Sequence, residues 1–291
     1  MQLAGTFFAI AALVSWGFGD FFIQRTTRKA GIFNALFYIG ATGAVLILPF
    51  VWRELGSVFT ITNGLLLLSL TVLVSVFSAL FDFAALKQGK ISVVEPILAL
   101  ELPITIGLSM LLLGERFSLA QWLATGTVFV GVMLVMTEVH GQLHLHRRMF
   151  ERGAILAGVG AIAMALTNFM FGIAARETSP LLTVWFVHSS LAVVMFVYLL
   201  FKGQAGDILH DLKRAPAAIA AESLFDNAAW IFYTMAMTRI PIAIATAIGE
   251  SYIALAVLLG IIVNREKLQK HQFQGIVIAI VGVASLSYLT A

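Results

Sequence analysis

Apolar stretches of about twenty residues, separated by short polar breaks, run the whole length of this chain and leave few folds open to it. Ten are read, at approximately 3–24, 32–52, 63–86, 91–113, 118–138, 153–174, 180–201, 216–238, 241–263 and 271–290. A helix rises about 1.5 Å per residue, so each stretch is long enough to cross the hydrocarbon core of a bilayer. The runs are long and lack the alternation of barrel strands, so helices are expected. Composition agrees: 60% of the residues are hydrophobic and 11% charged, against roughly 25% charged in soluble domains. Pro180, Pro216 and Pro241 each open a stretch, where a missing N–H costs little. Pro96 and Pro103 fall inside the fourth and are expected to kink it. The first stretch lacks the positive start and cleavage site of a secretion signal and reads as a retained membrane helix.

The chain also repeats itself. At an offset of 151, Glu115, Gln121, Ala124 and Gly131 meet Glu266, Gln272, Gly275 and Gly282. At an offset of 148, Gly5, Asp20, Phe21 and Arg28 meet Gly153, Asn168, Phe169 and Arg176. Each copy holds five stretches. Two copies of an odd-numbered unit joined in series take opposite membrane orientations. The expected fold is therefore all-α, ten transmembrane helices in two five-helix inverted repeats. Residues 1–138 form the first repeat, 153–291 the second, and 139–152 a cytoplasmic connection. Of the 18 Lys and Arg residues, all but Arg53, Arg116, Arg176 and Arg239 follow odd-numbered stretches. Positive loops stay inside, so both termini are expected outside.

The run L-G-E-R-F-S-L-A-Q at 113–121, its echo E-K-L-Q-K-H-Q at 266–272, Phe83-Ala84-Ala85-Leu86, and Pro103 twelve residues before Glu115 carry a resemblance. With them the chain resembles the drug/metabolite transporter superfamily, in particular its EamA-type ten-helix exporters. The resemblance implies export of small metabolites, often amino acids, driven by an ion gradient or running downhill. It also implies a multi-pass protein of the bacterial inner (plasma) membrane. The sequence departs from the family pattern at Ala124, at Asn264-Arg265, and in a ninth stretch without a proline matching Pro103.

Ionisable side chains inside a span cost at least about 2.5 kcal/mol on insertion scales, so they mark functional positions. Here they are Asp20, Asp82, Glu95, Glu101, His188, Glu222, Asp226 and Glu250, all acidic but one. Thr71, Ser75, Ser78 and Asp82 are spaced 4, 3 and 4 apart, on one helix face. Moved by 151 they land on Glu222, Asp226, Ala229 and Tyr233, with Trp230 beside them. Two such stripes are expected to line a central cavity. Hydroxyls also bond helices together, which is the plainer reading for the serines. Glu101 and Thr105 lie one turn apart, as do Thr246 and Glu250, although at offset 151 Glu250 falls on Ala99. Trp16 and Asp20, one turn apart, suit an ammonium group by charge and cation–π attraction, while Trp also anchors helices at the interface. Asn168 matches Asp20 without the charge. Expected solute-binding residues are thus Trp16, Asp20, Ser75, Ser78, Asp82, Glu101, Thr105, Asn168, Asp226, Trp230, Tyr233 and Glu250.

Other chemistries find little support. There is no cysteine. His140, His144 and His146 sit near one another in the central connection without Cys ligands, and no metal or other cofactor is expected. No basic run suits nucleic acid. The Gly249-Glu250-Ser251 run lacks the second glycine of a nucleophile elbow, and H-E-x-x-H is absent. Glu115 and Glu266 read as turn residues complementing the helices they open. The expected function is export of small metabolites, most of all amino acids, by alternating access. Organic-cation export on the same fold is the alternative, followed by an intramembrane enzyme using Asp82 and Asp226. Expected partners are a small-molecule substrate, the lipid bilayer and, as a candidate coupling ion, the proton; the chain is expected as a monomer or weak dimer.

Overall fold

A computed structural model describes residues 2–88, 97–136, 152–252, 254–255, 259 and 269–290, and among these it is helical throughout, with short turns. The first repeat contributes α1 (Gln2–Ala30), α2 (Ile32–Val51), α3 (Gly64–Gln88), α4 (Glu101–Leu113) and α5 (Leu119–Met136). The second contributes α6 (Arg152–Glu177), α7 (Pro180–Phe201), α8 (Ala205–Arg214), α9 (Pro216–Met237), α10 (Ile242–Gly249) and α11 (Lys270–Thr290). Helices α1, α2, α3, α6, α7 and α11 are long and apolar enough to cross a bilayer. The short surface helix α8 was not expected. It is tied to α2 where Tyr38 Oη donates to Ile208 O (2.7 Å) and Asn34 Nδ2 to Asp211 Oδ2 (2.8 Å).

Helix packing has the form of a two-fold exchange of repeats. Exchange turns α1 into α6, α2 into α7, α3 into α9, α4 into α10 and α5 into α11. The most extensive pairings are α1 with α9, α3 with α6, α5 with α11 and α2 with α7. The first two are images of each other, and the last two are images of themselves. The repeat's glycines explain one crossing. A Cβ on Gly131 would sit 2.5 Å from Ala279 N, and one on Gly282 would sit 2.7 Å from Val128 N, so α5 and α11 meet backbone to backbone. The repeat's glutamines are caps. Ser118 Oγ accepts from Gln121 N (3.2 Å) while Gln121 Oε1 accepts from Ser118 N (2.9 Å), a capping box opening α5. Gln272 Oε1 accepts from Gln269 N (3.1 Å) at α11.

The fourth and ninth stretches both break. Residues 99–100 form a turn before α4, and 250–251 form a turn after α10. Pro103 accounts for the first: it has no N–H for Ala99 O, which Leu102 N reaches instead (3.3 Å). The second break has no proline. Ser251 N reaches Ile248 O (3.2 Å), tightening the turn by sequence-independent means. The missing proline therefore does not make the halves differ here. Both interruptions bring a carboxylate, Glu101 or Glu250, to the place where the helix pauses.

Candidate functional site

Those two carboxylates meet. Glu250, on the turn ending α10, lies beside Glu101, the first residue of α4, and the two carboxyl groups interact directly. The offset of 151 misses this pairing, whereas 149 superposes the two residues: the fourth and ninth stretches carry a register two residues shorter than the α5–α11 motif. An ionised carboxylate only accepts hydrogen bonds, so two carboxyl groups can hold each other only through a proton placed between them. Glu250 is buried (7% exposed).

Aromatic rings cluster next to this pair: a Cβ on Gly249, the residue before Glu250, would lie 3.3 Å from both the Trp16 and Tyr233 rings. Trp16 of α1 lies 4.9 Å from the Tyr233 ring, 5.3 Å from Trp230 and 5.9 Å from Tyr252. Phe171 of α6 stacks on Trp230 at 4.4 Å. Tyr233 Oη and Thr246 Oγ1 are 2.7 Å apart, and Thr246 donates to Ile242 O (2.9 Å), so the tyrosine is the donor to the threonine. Tyr233 and Thr246 are fully buried. Of the expected residues, Trp16, Trp230, Tyr233, Glu101 and Glu250 thus converge. Tyr252 and Phe171 were not foreseen; Tyr252, two residues from an intramembrane glutamate, was the signal available.

A second group occupies the repeat-related place. Ser78 Oγ lies 3.4 Å from Asp82 Oδ2 and 3.6 Å from Met164 Sδ of α6. Gly160 leaves room there, since a Cβ would strike Asp82 Oδ1. Thr105 donates to Ala165 O (3.4 Å), and Asn168 is buried on α6, its Nδ2 without a partner among the described residues. Under the repeat offsets Asp82 matches Tyr233 and Met164 matches Trp16. The same spot is therefore acidic in one half and aromatic in the other.

The polar stripes do point inward. On α3, Thr71 and Ser78 are buried while Leu66, Leu70, Leu73, Phe77 and Leu80 are exposed. Thr71 and Ser75 hydroxyls donate to Leu67 O and Thr71 O of their own helix (2.8 and 2.7 Å). However, α3 packs on α6 and α9 on α1, and α3 and α9 share no extensive contact. Asp82 and Asp226 therefore rest against different helices. Asp226 is buried near Gly19 of α1, two helical turns from Tyr233. Glu222, one turn further, is fully buried, with neither oxygen hydrogen-bonded among the described residues. The Asp20 side chain lies outside the described residues, as do Glu95 and the histidines at 140, 144 and 146. His188 Nδ1 pairs with Asn227 Oδ1 (2.8 Å); Asn227 Nδ2 donates to Ile39 O and Ser223 O, which makes His188 the donor and a helix-bonding residue.

Glu115 departs from expectation. It does not complement α5, the helix it precedes. Its carboxylate accepts from Ile242 N (2.9 Å) and Ala243 N (3.2 Å), at the start of α10 in the other repeat. Among the described residues no three His, Cys, Asp or Glu side chains group as metal ligands.

Comparison with known proteins finds the same two-repeat fold. The EamA-like transporter family matches residues 3–137 and, a second time, 151–288. An uncharacterised protein of Methanocaldococcus jannaschii is 26% identical over 122 residues, covering 42% of this chain and 88% of its own. A solved crystal structure superposes over 100% of this chain and 98% of its own, with a TM-score of 0.71 at 14% identity, a likeness of fold alone.

Proposed function

The chain belongs to the EamA-like transporter family, and from that premise we propose that it exports small solutes bearing a protonated amino group, amino acids first among them. Membership makes it a multi-pass integral membrane protein and a transporter of small molecules. The observation that carries the finer reading is the cluster of Trp16, Trp230, Tyr233 and Tyr252, two of whose rings pack on Gly249 next to Glu250 and its neighbour Glu101. An ammonium is attracted both by ring faces and by carboxylates. Helices α4, α9 and α10 contain no Lys or Arg, so solutes of net negative charge, phosphorylated ones among them, lack a counter-charge there, whereas a zwitterion carries its own. The proton shared by the pair makes the proton the natural coupling ion. Residues 1–138 and 153–291 are the two units that rock about the pseudo-two-fold axis, in a bacterial plasma membrane with both termini outside.

The test is a liposome flux assay with the purified protein, using radiolabelled amino acids and, in a parallel arm, tetraphenylphosphonium. Saturable amino-acid flux that Trp16→Ala abolishes supports the reading. Flux of tetraphenylphosphonium alone would replace it with organic-cation export, which the aromatic lining also suits.

A further inference from the structure

At one end of the bundle a single carboxylate and a single guanidinium gather four chain segments. Glu115, in the turn between α4 and α5, takes the Ile242 and Ala243 amides and also Arg176 Nη2 (3.0 Å). Arg176, in the last turn of α6, further donates Nε to Met237 O (2.8 Å) and Nη2 to Ile240 O (3.2 Å). The α4–α5 turn, the end of α6, the end of α9 and the start of α10 are held together. Of these only the Glu115 turn belongs to the first repeat, so its bonds must break if the repeats part at this end. A second carboxylate of the first repeat does the same nearby: Glu54 accepts from Ser179 Oγ, the N-cap of α7.

The Glu115 contact is wired to the aromatic site. Ile242, whose N–H Glu115 holds, offers its C=O to Thr246, and Thr246 in turn accepts from Tyr233. Glu250 N bonds Thr246 O (2.8 Å). Three links therefore join the Glu115 carboxylate, 9% exposed, to the ring that packs on Trp16, all through the short helix α10. The residue types recur as well, at Glu266 (offset 151) and Arg28 (offset 148), whose side chains lie outside the described residues.

We propose that Glu115 and Arg176 form the latch that holds this end of the transporter closed, and that α10 couples the latch to solute at the aromatic site. The proposal rests on the transport reading for its purpose, but not for its test. Charge-assisted bonds across the repeat boundary favour the closed arrangement over any arrangement in which the repeats separate here. Solute that moves Tyr233 or Thr246 pulls on Ile242, and with it on the amides that Glu115 holds.

The chain has no native cysteine, so spin labels can be placed at Arg116→Cys and Glu177→Cys, exposed positions on either side of the latch. The interlabel distance is measured by electron paramagnetic resonance in liposomes without solute. The protein with the latch intact should give one short distance. Glu115→Gln should add a longer population of at least tenfold greater weight, and Arg176→Gln, reaching the same contact from the other partner, should do likewise. Arg176→Lys, which keeps the charge but not the fork, should fall between. Folding is checked by monodispersity and helical content, and either glutamine variant that folds decides the matter. A distance distribution unchanged in a folded Glu115→Gln or Arg176→Gln protein would overturn the latch. Because no solute enters this experiment, its outcome stands apart from that of the flux assay.

Discussion

Under the proposed function, an ammonium that binds at Glu101 and Glu250 does so with an affinity that depends on pH in a defined way. The incoming cation and the proton compete for the same two carboxyl groups. While the pair holds its proton, each added pH unit lowers the Kd up to tenfold, about 1.4 kcal/mol. Glu250→Gln changes this. The amide N–H donates to Glu101 in place of the proton, so Glu101 stays ionised and the slope disappears. The affinity at high pH should drop by one charge-assisted contact, about 1.5–3 kcal/mol or roughly tenfold to 150-fold. Glu101→Gln should behave alike, by the symmetry of the pair. The assay is a titration of tryptophan fluorescence with the solute that the flux screen identifies, since Trp16 and Trp230 lie 5.3 Å apart beside the pair. Glu222→Gln is the control: Glu222 is buried on α9 but lies outside the cluster, and its variant should keep the full slope. A tenfold-per-unit slope surviving in both Glu101→Gln and Glu250→Gln, or vanishing in Glu222→Gln, would refute the reasoning.

The helix crossing gives a stability test: Gly131→Ala places a methyl against Ala279 backbone and should cost about 1–3 kcal/mol, whereas Gly126→Ala meets nothing within 4 Å and should be neutral or stabilise by up to about 1 kcal/mol. Equal thermal midpoints for the two variants in detergent would show that α5 and α11 are not in backbone contact. Asp82→Asn should reduce flux at least tenfold, at matched amounts of folded protein on a gel-filtration profile, because the amide preserves hydrogen bonding but not charge. For orientation, a cysteine at Phe59, exposed in the 3-10 turn Leu55–Phe59, should react with an impermeant maleimide added to intact cells, and one at Gln142 only after permeabilisation.

Much of the architecture was legible in the chain because a bilayer admits so few structures. Periodic apolar runs give helices, and an odd repeat gives inversion, without any knowledge of side-chain packing. The inward faces of α3 and α9 were legible for the same reason, since Ser78 and Tyr233 follow the helical period. What the sequence concealed lies where register changes between segments. One offset of 151 aligns Glu115 with Glu266, but Glu101 and Glu250 need 149 and Asp20 and Asn168 need 148. Turns of different length absorb the difference, and no single offset reveals that Glu101 and Glu250 touch. Glu115 was misread for a related reason. A carboxylate before a helix suggests a local cap, yet the amides it reaches are more than a hundred residues away, a contact that only the assembled repeats create. The arginines left out of the inside bias follow suit. Arg176 binds Glu115, and Arg239 donates to Met235 O (2.7 Å) while lying 4.9 Å from the Phe8 ring, so both are held by structure.

The two halves share a backbone but not a chemistry, and this bears on how a solute would sit. Where the second half sets Tyr233 against Trp16, the first sets Ser78 between Asp82 and Met164. Where the second half has Ala229, the first has Ser78. A frame with two-fold symmetry permits the repeats to exchange conformations, while a lining without it distinguishes the two ends of a solute. The Glu101–Glu250 pair joins α4 to α10, the two helices that exchange of the repeats carries into each other. Under the proposed function, a solute with a charged amino group and an apolar side chain fits that arrangement in one orientation, its charge toward the carboxyl groups and its side chain toward Trp16, Trp230 and Tyr233. Reversed, it would place its ammonium away from the pair and its apolar surface against the polar Ser78–Asp82 group. Selectivity then resides in the differences between the repeats, and movement in their likeness.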